Sequence, residues 1–277
     1  MGGQPLVASR AGRRGRVHRL SVRAWLKHWR EQRTLARRAI PDALWSLTLA
    51  RFHFLSWRGS ADVARLRDLA TLFLADKEFT GAHGLAVDDE MAVAIAAQAC
   101  LPVLELGLAW YDGFKGVVVH ADAVLAQREF VDEAGVVHEY EEELSGEAMH
   151  RGPVMLAWRD VADAGESAGE GYNVVVHEFV HVLDMRDGIA DGVPPLPDRA
   201  ARDAWLAVLT AEYDDFCERV DAEEHTLLDP YAAQAPEEFF AVASEAFFVA
   251  PQDFRAEHPD LYALLRGFFR QDPAANC

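Results

Sequence analysis

Val174-Val-Val-His-Glu-Phe-Val-His-Val-Leu183 is the stretch on which the reading of this chain turns. The positions around and between its two histidines are uncharged, as expected of a helix packed into a core, and a helix is expected over Asn173–Met185. Four residues advance an α-helix by about 400°, so His177 and His181 stand within about 40° of each other and one turn apart. Two imidazoles so related can share one tetrahedral Zn²⁺ at about 2.0–2.1 Å. Glu178 lies about 100° round the helix, beside the ligands, where it can take a proton from a water activated by the metal. Chance placement of 11 histidines and 22 glutamates in 277 positions gives this pattern in roughly three of a hundred such chains, so the five residues alone do not decide the matter. Two histidines that merely partner nearby carboxylates are the plainer alternative.

Two histidines and a water leave one protein ligand to find. Asp187 follows His181 by six residues, but Asp184 occupies the place where a glycine would permit the chain to turn back. The segment Asp229-Pro-Tyr231-Ala-Ala-Gln-Ala-Pro236-Glu237-Glu238-Phe-Phe240 is the stronger source. Pro236 suits the first position of a helix, and acidic residues suit that first turn. Helix capping alone accounts for one of Glu237 and Glu238; the other is free to reach a metal.

Outward from this centre, helices are expected over Leu20–Ile40, Asp42–Trp57, Ser60–Lys77 and Asp88–Cys100 on one side. On the other they are expected over Arg199–Val220, Pro236–Val249 and Pro259–Arg270. Candidate strands are Lys115–His120, Val136–Glu143 and Gly152–Trp158, and Asp160–Gly171 reads as a polar, glycine-containing loop. Helices, a small antiparallel or mixed sheet, then helices again make an α+β protein. Residues 1–40 are expected as a basic leader, with a basic amphipathic helix in its second half that is either a solvated face or a membrane-surface or partner-binding element. Residues 41–273 are expected as one catalytic domain, helical over about 41–101 and catalytic over about 102–273.

The net charge of −18 divides unevenly. Ten arginines, one lysine and one glutamate give residues 1–40 a charge of +10, which leaves −28 for the rest. Such a body repels nucleic acid phosphates, whose binding depends on lysine and arginine. No apolar run approaches the 18–20 residues or so of a membrane-spanning helix. Cys100, Cys217 and Cys277 are an odd, widely spaced set that favours reduced thiols, and no secretory signal pattern opens the chain, so a cytoplasmic location is expected. Nucleotide-binding glycine loops and a serine-hydrolase elbow are both lacking.

Several blocks resemble the Mlc titration factor A family of zinc-dependent peptidases: His177–Met185 (HEFVHVLDM), Asp187-Gly188, Asp229–Ala233 (DPYAA), Pro236–Glu245 (PEEFFAVASE) and Gln271-Asp-Pro273. Cys100–Leu108 (CLPVLELGL), Trp110–Phe114 and Gly152-Pro-Val154 are similar to the same family, so the resemblance covers roughly residues 41–273. It implies a cytoplasmic, gluzincin-like metallopeptidase of aminopeptidase type. His177, His181 and Glu238 match the family's zinc ligands, Glu178 its catalytic glutamate, and Tyr231 a tyrosine near the metal. Namesake members also bind the repressor Mlc and titrate it from DNA, so an Mlc-like repressor is an expected partner beside a peptide or protein substrate.

On chemical grounds Tyr231 can donate to a developing oxyanion, or can be a loop aromatic packed on the core. Asp184 can orient a ligand imidazole, pack at the helix C-terminus or pair with Arg186; Glu245, two turns beyond Glu238, can support a ligand, hold a substrate amine, or be a solvated or paired carboxylate. The strand expected over Gly152–Trp158 stands where zincin-type peptidases put an edge strand, open to an extended peptide. Glu139–Glu143 reads as a charged edge that resists aggregation. The alternative to an enzyme is a non-catalytic regulatory protein that sequesters a transcription factor.

Overall fold

The computed structural model describes residues 22–131 and 137–275, with side chains left out at 22–24 and 125–144. The Gly- and Arg-rich start over 1–18, Cys277 and the side chains of Glu139–Glu143 therefore lie outside the described residues.

Three helices open the chain: α1 (Val22–Arg38), α2 (Asp42–Arg51) and α3 (Ser60–Asp76), with α1 lying against α3. The single helix expected over Asp42–Trp57 ends at Arg51. Phe52 leaves helical geometry at φ −113°, ψ 79°, and His53–Leu55 form a 3-10 turn. The break brings Phe52, Phe54 and Leu55 into the core together, which one straight helix could not do, because those positions are spread round its circumference. Next come β1 (Glu78–Gly81) and α4 (Asp89–Ala99), the latter begun by Asp88, whose carboxylate accepts from Met91 N at 2.9 Å.

The strands β2 (Gly116–His120), β3 (Val124–Val131), β4 (Val137–Leu144), β5 (Gly146–Ala148) and β6 (Val154–Ala157) follow. β3 and β4 form an antiparallel ribbon of their own, while the main sheet runs β1-β2-β6-β5. β1, β2 and β6 are mutually parallel and only β5 is antiparallel, so the sheet is mixed. This corrects the edge assignment. β6 is interior, held by β2 on one side and β5 on the other, and the sheet's edge strands are β1 and β5. Two-sided pairing fits its composition, since Val154 and Leu156 are buried and Ala157 nearly so.

The second correction falls on 160–171. Trp158–Ser167 is a helix, α5, that buries Val161 and Ala164. Gly165, a loop signal in the sequence, has a packing role. A Cβ there would run into the carbonyl oxygen of Arg51, so its absence lets α5 sit against the end of α2. Arg51 Nε donates to Ala162 O at 3.0 Å across the same seam.

The rest is helical: α6 (Val174–Asp184), α7 (Arg199–Asp221), α8 (Pro236–Val249), α9 (Pro251–Glu257) and α10 (Pro259–Phe269). The α+β class holds. α6 and α8 pack face to face at the centre. Every residue of α8 from Phe239 to Val249 is buried, and Phe179 of α6 meets Phe73, Tyr111 and Phe114 edge-on at 5.6, 5.1 and 5.9 Å. Rings at these separations interlock favourably beyond their buried area. The two helices that carry the candidate ligands are therefore among the most firmly held parts of the chain.

Candidate metal centre

α6 presents His177 and His181 on the face it turns towards α8. Their rings lie 4.8 Å apart, and Nε2 of one is 3.1 Å from Nε2 of the other. Pro236 starts α8, and Glu238 in its first turn points back across the seam. Glu238 Oε2 stands 3.1 Å from His177 Nε2 and 3.3 Å from His181 Nε2. Among the described residues this is the one group of three or more His, Cys, Asp or Glu whose geometry can hold a metal ion. Asp187 is outside it: exposed, with Oδ1 accepting from Ile189 N at 3.2 Å.

Two observations test whether these donors suit a cation. A tetrahedral centre with bonds of about 2.0–2.1 Å puts its donors about 3.3 Å apart, which the separations of 3.1, 3.1 and 3.3 Å match. The second is where the protons go. His177 Nδ1 lies 2.7 Å from Glu245 Oε1, the natural acceptor for its proton, which leaves a lone pair on Nε2 facing the carboxylate of Glu238. Two acceptors so placed need a cation or a further proton between them. Burial opposes charge on His177, but Glu245 and Glu238 outweigh it and hold its pKa well above the usual histidine range. Glu238 is pushed up by burial, yet contact with the two histidines leaves it well below the ordinary carboxylate range. The set fits a metal, which would take the place of that proton.

Glu245 is the residue that organises the surroundings. Fully buried on α8, it accepts from His177 on one oxygen and from the backbone N–H of Asn173 on the other. Asn173 in turn caps α6 through Val176 N at 2.9 Å and donates to Gln98 Oε1 at 2.8 Å. These contacts make Glu245 a paired carboxylate held to His177 and Asn173, not a solvated one. Asn173 and Gln98 escaped the sequence reading; the signal for Asn173 was an asparagine just ahead of an apolar helix. Asp184 hydrogen-bonds neither a histidine ring nor Arg186, and packs at the C-terminal end of α6. It is buried, takes Gly192 N on Oδ2 at 2.9 Å and leaves Oδ1 without a hydrogen-bond partner among the described residues, while Arg186 donates to Trp110 O at 2.8 Å.

Glu178 and Tyr231 line a cavity of about 590 Å³ with His177, Gly146, Tyr172 and Asp229 among its walls. Burial pushes the Glu178 carboxyl up to about 7, against the pull of His177 and His181. β5 runs so close to it that a Cβ on Gly146 would stand 2.6 and 2.7 Å from Glu178 Cγ and Cδ. The Tyr231 ring is 6.2 Å from that of His177, and Asp229 fixes its segment by accepting from Tyr231 N at 2.8 Å. Among the described residues, His120, His150 and His225 stand outside the cluster.

Two imidazoles from one helix, a carboxylate from a second and a buried glutamate beside them are the arrangement of Glu-ligand metallopeptidases. The sequence comparisons agree. Residues 26–270 match the family described as glucose-regulated metallo-peptidase M90, and the chain belongs to that family. The match starts inside α1, further upstream than the blocks read from the sequence. Mlc titration factor A of Salmonella arizonae is 37% identical over 236 residues, 84% of this chain and 92% of the relative. The protein of the same name from an Enterobacter species is 37% identical over 238 residues, 84% and 88% of the two chains. An uncharacterized protein of Synechocystis is 35% identical over 254 residues, 91% and 92%. No helix among the described residues is long and apolar enough to cross a membrane.

Proposed function

We propose that the chain is a zinc-dependent peptidase of aminopeptidase type, acting in the cytoplasm with residues 41–273 as its catalytic unit. The observation that carries this reading is the convergence of His177, His181 and Glu238 beside a buried Glu178 that no structural metal site would require. Zinc, when bound by these three, supplies Lewis acidity towards a peptide carbonyl and towards water. Glu178 accepts the proton of the attacking water and returns it to the leaving amine, a task suited to a carboxyl near neutrality. Tyr231 donates to the oxygen of the former carbonyl, on a segment fixed by Asp229. Glu245 keeps the His177 proton on Nδ1 and so keeps Nε2 ready as a ligand. The open edge of β5, which ends at the cavity wall, offers backbone groups to an extended substrate.

The test is hydrolysis of aminoacyl chromogenic substrates and blocked peptides by zinc-loaded protein. Glu178→Gln should abolish turnover and spare both fold and zinc content. Undiminished turnover in that variant overturns the reading. Glu238→Ala should lower zinc content and Asp187→Ala should not; the reverse result moves the third ligand.

A second reading rests on the relatives' printed name, Mlc titration factor A: the chain also binds an Mlc-like repressor, and regulation by sequestration is its function even without catalysis. Capture of such a repressor by Glu178→Gln protein as well as by wild type would support it.

A further inference from the structure

α1 is unlike the rest of the molecule in two respects. Among the described residues the exposed large hydrophobics are six, and three of them, Trp25, Leu26 and Trp29, fall within five positions of this helix. The two tryptophans are 56% and 47% exposed. The helix also carries Arg23, Lys27, Arg30, Arg33, Arg37 and Arg38 against a single acidic residue, Glu31, on a chain whose remainder from residue 41 has a charge of −28.

The side of α1 that meets the body is settled by its half-buried positions, Glu31, Thr34 and Leu35, with α3 as the neighbour. Helical geometry at 100° per residue puts Trp25, Trp29 and Ala36 on the opposite side, with Arg33 at the border of that stripe and Arg37 further round, while Arg30 lines the cleft between α1 and the body. Arg33 already lies over the Trp29 ring, 5.3 Å from its centre. An outward apolar stripe carrying tryptophan and flanked by arginine is the pattern of helices that lie in the headgroup region of a bilayer.

We propose that α1 docks this protein onto an anionic phospholipid surface, Trp25 and Trp29 entering the headgroup region and Arg33 and Arg37 meeting lipid phosphates. Charge complementarity selects this occupant. A negatively charged surface attracts the end of the molecule that holds α1 and repels the acidic body, so one orientation is favoured. Tryptophan side chains prefer an environment that is apolar at one end and wet at the other, and a lipid interface supplies both. A second copy of the chain would offer acidic surface to the arginines, but among the described residues the run of exposed large hydrophobics it could set against the tryptophans is its own α1, which brings like charge against like charge.

The experiment is co-sedimentation of the full chain with vesicles of phosphatidylcholine alone and of phosphatidylcholine with about a third phosphatidylglycerol, in low and in 0.5 M salt. Wild type should partition onto the anionic vesicles at least tenfold more than onto the neutral ones and should be released by salt. Trp25→Ser with Trp29→Ser should lose at least tenfold in partitioning while its circular dichroism stays as in wild type. Equal or absent sedimentation on both vesicle types overturns the proposal, as does anionic binding that the double variant retains. So does a lipid-free dimer in analytical ultracentrifugation that the double variant dissolves, since the stripe would then join two copies.

Discussion

Glu245 shows how closely the candidate centre is tied to one carboxylate outside the group of His177, His181 and Glu238. Its two oxygens serve two different donors, the His177 ring and the Asn173 amide. Glutamine offers one acceptor where glutamate has two, so in Glu245→Gln an amide N–H must face either the ring N–H or the backbone N–H. The variant should lose about 10–100-fold in zinc affinity, the usual effect of removing a partner behind a ligand, as read by competition with a chelator. An unchanged affinity would mean that His177 is oriented by packing alone. Nothing in the spacing of Glu238 and Glu245 distinguishes an orienting role from a surface pair. The contacts of Glu245 with Asn173 and His177 are legible only in the structure.

At the scale of elements, the helices α6 and α8 and the segment DPYAA were readable because each carries strong local chemistry: a periodic apolar face, a first-turn proline and acidic residues. The sheet was less readable. β1 and β5 are four and three residues long, too short for alternation to emerge, and the parallel pairing of β1, β2 and β6 comes from contacts distant in sequence. α5 was hidden by Gly165, because a glycine that admits a neighbouring backbone has the same letter as one that ends a helix. The approach of β5 to α6 leads to a prediction of this kind. Gly146→Ala puts a methyl group where the Glu178 side chain now lies, so the carboxylate must move. Misplacement by about 1 Å can cost on the order of 100-fold in rate, so kcat should fall at least tenfold with zinc content unchanged. Full activity in the variant would show that Glu178 has room to spare.

For the whole molecule, the sensitive quantity is stability against pH. Burial pushes Asp184 up to about 7, above its ordinary 3.8, with the Gly192 amide only partly offsetting the effect. A carboxyl raised on folding costs nothing below about pH 4, where both states hold the proton. From there to about 7 the unfolded chain gives up its proton first and stability falls, and above 7 the loss is complete. The size is on the order of 2–4 kcal/mol. Urea unfolding of zinc-loaded protein between pH 4 and 8 should therefore show wild type losing ground relative to Asp184→Asn as pH rises. A constant difference between the two across that range would show that Asp184 is ionised in the fold.

The chain of contacts from His177 through Glu245 to Asn173 has a further consequence. The group that keeps a ligand ring in place also holds the amide at the head of α6, and the Asn173 side chain holds the next turn through Val176 N. A metal held by His177 would thus share one equilibrium with the fraying of that helix end. Amide hydrogen exchange at Asn173 and Val176 should slow on adding zinc and quicken on chelation, so two backbone protons report, residue by residue, whether the centre is filled.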